Sequence, residues 1–246
     1  MRFVGLYGRA ALCLWVLGIV LIVVCLALGR LLALPGEPQV STGRRNGVDD
    51  VYLGDARIAI AHNVTHSPAF DGWPDLSPNG ELIAFESTRN GNPEIYVMDI
   101  IGHNLRNLSN HPASDWRPRW SPDGRHIAFV SMRDGVYDVQ VVEVDTGEIS
   151  VLAHVPGMEG TPIWSPNGRY IAFLTLFRLR AECYVVEVDS GIARRVFTEA
   201  SPSSAPTWSE DGTQVVFQTG PDGKPNSYPV AVEIVRLFAD DTAYGP

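Results

Sequence analysis

The chain has 246 residues, 45% of them hydrophobic and 19% charged, which excludes wholesale disorder and allows one or two domains. Its first 36 residues carry Arg2, Arg9 and Arg30 and no acid, so the remainder holds 16 bases against 28 acids, a net of −12. A globular part that acidic repels a phosphate backbone, and no nucleic-acid partner is expected.

Ala10 to Gly29 is an uncharged 20-residue run bracketed by Arg9 and Arg30. As a helix it would span about 30 Å, the thickness of a bilayer core. A cleaved signal peptide has a shorter apolar core, and Val24 stands before Cys25 where a lipoprotein signal carries a smaller residue. The reading is an uncleaved single-pass membrane anchor with a cytoplasmic tail, residues 1–34. Arg2 and Arg9 on one side balance Arg30, Arg44 and Arg45 on the other, so charge alone does not orient it. A short tail before a large acidic domain places the amino terminus inside. Residues 35–50 contain Pro, Gly and Ser without apolar periodicity and are expected to be a linker to a domain at 51–246.

That domain repeats. Pro74, Pro118, Pro162 and Pro206 are 44 residues apart, as are Ser77, Ser121, Ser165 and Ser209, the glycines 80, 124, 168 and 212, and Phe85, Phe129, Phe173 and Phe217. The units read PDLSPNGELIAF, PRWSPDGRHIAF, PIWSPNGRYIAF and PTWSEDGTQVVF. The S-P-[ND]-G segment is a turn, because Pro presets φ, Asn or Asp bonds its own backbone, and Gly supplies positive φ. It joins a first strand to a β-branched and aromatic second strand such as HIAFVS. Further Gly turns at 90–91, 134–135 and 222–223 lead to a third strand, and those at 145–147 and 189–191 lead to a fourth. Four strands in 44 residues make one propeller blade. Trp120, Trp164 and Trp208, with Leu76 in the first unit, are expected to pack blade against blade.

The repeat resembles the TolB-type, WD-like β-propeller family, which also supplies the propellers of tricorn protease and prolyl oligopeptidases. The resemblance covers about 51–238 and rests on P-x-W-S-P-D-G-x-x-I-A-F. The expected fold is all-β: about four four-stranded blades, as a closed ring or an open arc, preceded by one transmembrane helix. Residues 51–65 match the last two strands of a blade, and the fourth unit lacks a clear fourth strand.

Chemistry is sought on the face where second-to-third-strand turns meet the connectors between blades. Asp71, Asp115 and Glu159 share one register there, with Ser203 completing it, either as an acidic ring for a cation or as repeated turn caps. The third unit replaces its Gly turn with Leu176, Phe177, Arg178, Leu179 and Arg180, either an apolar contact patch or extended strands. His66, His111 and His154 lie in connectors without ligand spacing, so no metal and no cofactor are expected. Cys183 is the one cysteine of the domain and reads as a small buried residue. The sequons at Asn63 and Asn107 are 44 apart and follow from the repeat. There is no G-x-S-x-G, P-loop or dinucleotide fingerprint.

The expectation is a non-catalytic interaction module on the outer side of the cell membrane, with protein partners of the envelope, as the resemblance implies for TolB. The alternatives are a sugar- or cation-binding propeller and, third, a metal-dependent lyase.

Overall fold

The computed structural model describes residues 38–55, 60–133, 135–154, 157–177, 180–196, 205–219, 226–231 and 243–244. These residues form strands and turns, with no helix among them, in five antiparallel sheets. The proposed anchor at 10–29 lies outside the described residues. Among the described residues no helix is long and apolar enough to cross a membrane.

The leading sheet holds β1 (Pro38–Arg45), β2 (Val48–Asp55) and β3 (Ile60–Asn63). The first blade follows as β4 (Asp71–Leu76), β5 (Leu82–Ser87), β6 (Glu94–Asp99) and β7 (Arg106–Asn107). The second is β8 (Ser114–Trp120), β9 (His126–Arg133), β10 (Val136–Glu143) and β11 (Ile149–His154). In the third, β12 (Met158–Glu159) and β13 (Ile163–Trp164) both pair with β14 (Tyr170–Phe177), followed by β15 (Arg180–Glu187) and β16 (Ala193–Val196). The fourth shows β17 (Thr207–Trp208), β18 (Gln214–Thr219) and β19 (Asn226–Ala231). A short β20 (Ala243–Tyr244) pairs with β16.

The repeated turn is built as its residues require. Ser77 accepts from the Gly80 N–H at 2.8 Å, and its hydroxyl accepts from the Leu82 N–H at 2.9 Å. The same two bonds recur at Ser121, Ser165 and Ser209. Gly80, Gly124, Gly168 and Gly212 have φ of 73°, 70°, 71° and 68°, a region that a side chain disfavours.

The core lies in the seams between sheets. Val51 of the leading sheet packs with Ile83, Phe85, Tyr96 and Met98, although Val51 belongs to one unit and the others to the next. Ala84, Ile95 and Val97 meet Ile127, Phe129 and Val142, and Val139 and Val141 meet Ile171, Phe173 and Tyr184. The tryptophans do more than fill these seams. Trp120 Nε1 donates to the Asp75 carbonyl (3.2 Å), Trp164 to Arg119 (3.1 Å) and Trp208 to Ile163 (2.9 Å), each bond reaching back 45 residues. The first strands therefore make a continuous inner wall, stitched blade to blade. Leu76 has no such donor.

The expected linker at 35–50 is corrected, because β1 and the start of β2 form a hairpin there. This hairpin is the repeat one unit earlier. Pro38 faces Asp55 as Leu82 faces Asp99, and Arg45-Asn46-Gly47 occupies the turn of Arg89-Asn90-Gly91. The leading sheet thus carries the second, third and fourth strands of a blade. A count of about four units becomes four blades plus this partial one.

Candidate functional site

The first three blades each bring together one row of polar positions at the face where the first strand begins and the second ends. Directly paired residues share a face of a sheet, so Asp71, Ser87 and Glu94 line up across the first blade. Asp115, Ser131 and Asp138 do so in the second blade; in the third, Thr175 and Glu182 are paired, and the backbone of Glu159 pairs with Thr175.

These rows are largely occupied by partners within the protein. Asp71 is fully buried and accepts from Arg89 Nη2 at 3.0 and 3.2 Å. Arg89 also donates to the Ser87 hydroxyl at 2.8 Å and lies over the Phe85 and Tyr96 rings. Glu94 accepts from Asn107 and from the Tyr96 hydroxyl, and burial together with Glu94 pushes the Tyr96 phenol up to about 12. Asp138 bonds His154 Nδ1, and Glu182 accepts from Arg195 at 2.9 Å.

The second blade departs from this pattern. Gln140 stands where Tyr96 and Tyr184 stand, and Arg133 comes only to 3.9 Å from Asp115. Burial raises the Asp115 carboxyl above its ordinary range, against the pull of the Ser131 and Ser109 hydroxyls and Arg133. Asp71 and Asp115 are both fully buried.

Leu176 is 49% exposed. The strands around it extend as far as Phe177 and resume at Arg180, which pair with each other. Arg178 and Leu179 lie outside the described residues, as does the turn at 222–223.

His111 Nδ1 accepts from the Ala113 N–H at 3.0 Å, and the His66 N–H donates to Asn63 Oδ1. Among the described residues no three His, Cys, Asp or Glu side chains gather as a metal site. Cys183 is buried and its thiol is pushed up by burial.

Another cluster, on the inner wall, escaped the sequence reading. The register slips in β4 between Gly72 and Asp75, and in β8 between Trp116 and Arg119. At these bulges Trp73 and Arg117 take φ of 50° and 56°. Trp73 is 46% exposed, and the Arg117 guanidinium lies 5.0 Å above its ring.

Behind them Glu86 is buried, accepts from the Arg117 backbone N–H, and leaves Oε2 without a partner among the described residues. Burial pushes its carboxyl up to about 7. Nearby, Asp75 accepts from the Trp120 N–H (2.7 Å) and from Arg119 (3.2 Å), tying the first two blades together. A signal was available in the sequence. The register of Glu86 is otherwise Val130, Leu174 and Gln218, and that of Trp73 and Arg117 continues as Thr161 and Ala205.

Blades of antiparallel strands, the second to the fourth each stitched to the one before by a tryptophan, define a β-propeller protein of the WD-like type. The profile of the TolB beta propeller domain family matches residues 102–237, and the chain belongs to that family. It is similar in fold to TolB from Acinetobacter baumannii, with a TM-score of 0.65 and 22% identity over 81% of this chain and 50% of that one. The chain thus spans half the length of that protein. A protein described as a TolB from Agrobacterium tumefaciens gives 0.61 and 23% over 80% of both chains. An oligogalacturonate lyase in complex with manganese gives 0.63 and 18% over 76% of this chain and 55% of that one. No curated protein matches the sequence.

Proposed function

We propose that this protein is a membrane-anchored, non-catalytic interaction module that holds its propeller outside the cytoplasm. The observation that carries the reading is how the polar groups are used. Arg89, Asn107, His154 and Arg195 engage Asp71, Glu94, Asp138 and Glu182 on the loop face, while Trp73 and Leu176 stand exposed on a scaffold of paired strands. Fixed acids with resident partners and isolated exposed apolar groups suit recognition of a protein surface. Membrane attachment rests on the apolar run at 10–29, and an envelope partner is proposed by analogy with TolB.

The second reading is a propeller that binds a small ligand. The unusual environment of Glu86 beside Trp73 favours it, since perturbed carboxyls gather at binding sites. Cation binding at Asp71 would have to displace Arg89.

The test is cross-linking on intact cells with a reagent that cannot enter the cytoplasm, followed by affinity capture. The wild-type chain should yield a defined protein adduct, reduced in Trp73→Ala or Leu176→Asp. Adducts formed only by a membrane-permeant reagent would overturn the outside location. Substrate turnover by the purified chain would overturn the non-catalytic role.

A further inference from the structure

We propose that the open edge of β1 is a docking site for an extended acidic peptide of a partner protein, which joins the leading sheet as its innermost strand. This rests on the interaction-module reading and names where the partner binds.

The repeat defines the seat. In the first blade Ser77 N donates to the Leu82 carbonyl, and Thr88 N donates to the Phe70 carbonyl. Even-numbered residues of β5 therefore aim their backbone groups at β4, since alternate residues of an antiparallel strand face the same neighbour. β1 lies in register with β5, 44 residues earlier. Pro38, Val40, Thr42 and Arg44 therefore aim theirs away from β2. Among the described residues β1 pairs with β2 alone. Six of its eight side chains are exposed, which leaves an edge of a kind that folded proteins seldom leave uncovered.

Arg45 supplies the charge preference. It occupies the register of Arg89, which binds Asp71, and of Arg133, which faces Asp115. Arg45 itself is exposed and forms no ion pair among the described residues. It borders a cavity of about 280 Å³, lined also by Asn46, Asp50, Asn63 and His66. Asp50 is engaged there by Asn63 at 2.6 Å and by Thr65 at 3.2 Å, so Arg45 is left to meet an incoming acid. This chain's own sequence at the matching register, 27–32, reads ALGRLL and has no acid.

Leu76 fits the same picture. The later first strands carry Trp120, Trp164 and Trp208, which bond the inner strand of the preceding blade. The first blade carries Leu at that register, so no indole N–H ties its inner strand to the sheet before it. A peptide that adds as a strand gains affinity from main-chain bonds and selectivity from alternate side chains.

The probe is a synthetic peptide of residues 69–78, AFDGWPDLSP, capped at both ends, added to the full chain in detergent solution. Saturable binding should slow hydrogen exchange at Val40 and Thr42. Changing the peptide's first Asp to Asn, or Arg45→Glu in the protein, should weaken binding about tenfold, as loss of a charge-assisted bond does. Thr42→Pro removes an N–H that faces outward, not into the β1–β2 ladder, so it should abolish binding with the melting curve unchanged.

Exchange at Val40 and Thr42 already slowed in the free protein would overturn the proposal, because the edge would be taken. Binding that survives both Thr42→Pro and Arg45→Glu would overturn it as well. A cross-linked partner that persists in Thr42→Pro would remove this site and leave the interaction module standing. Peptide binding as described, with no partner captured from cells, would keep the site and remove the broader reading.

Discussion

Glu86→Gln should change how stability depends on pH. Glu86 is 5% exposed and accepts from the Arg117 N–H, and its carboxyl is pushed from an ordinary 4.5 to about 7. The folded state therefore holds this proton more tightly than the unfolded chain does. The contribution of Glu86 to stability is fully present below about 4.5, falls as pH rises, and is lost above about 7. A shift of that size corresponds to roughly 3 kcal/mol, an upper bound because buried carboxyls relax and admit water.

Glutamine keeps an oxygen for the Arg117 N–H and cannot ionise. The variant should match the wild type within about 0.5 kcal/mol at pH 4.5 and exceed it by up to ~3 kcal/mol at pH 8.5. For a domain of this size that is roughly 6–10 °C in melting temperature. The assay is thermal and urea unfolding of both proteins across that range. Every other group titrates alike in the pair, so the difference isolates Glu86. Parallel curves, or a variant less stable at pH 8.5, would refute the reasoning.

Three further outcomes are expected. Trp120→Phe and Trp164→Phe keep the aromatic face but lose the indole N–H bonds to the carbonyls of Asp75 and Arg119, which keep their places in the β-ladders, so each should cost about 0.5–1.5 kcal/mol in urea unfolding. Arg89→Met strands the buried Asp71 and should cost about 3–5 kcal/mol, whereas Arg133→Met, whose partner is 3.9 Å away, should cost clearly less by the same measurement. Cys183, fully buried with its thiol pushed up, should be alkylated only as fast as the protein unfolds, which site-resolved mass spectrometry will report.

The blades were legible in the sequence because each middle blade meets a neighbour on both sides. Ile-Ala-Phe runs recur where both faces of a strand are covered, as for Ile83, Ala84 and Phe85. The leading hairpin was not legible for the same physical reason. Its packing is to the first blade alone among the described residues, so β1 keeps Val40 against that seam and is otherwise polar. Without its apolar run it reads as a linker, although Arg45-Asn46-Gly47 preserves the turn.

The acids were found by register, but register does not tell whether Arg89 reaches Asp71. Nor does it tell that the tryptophans donate hydrogen bonds as well as fill space. Trp73 and Glu86 are departures from the repeat, and a search for what recurs passes over them.

The most direct test places a photo-reactive residue at position 73, on the inner wall, or at Ile101, 68% exposed in the turn after β6, and irradiates intact cells. A protein adduct is expected from position 73 and none from position 101. An adduct from 101 alone, or equal adducts from both, would contradict the claim that the inner wall and its loop face form the recognition surface.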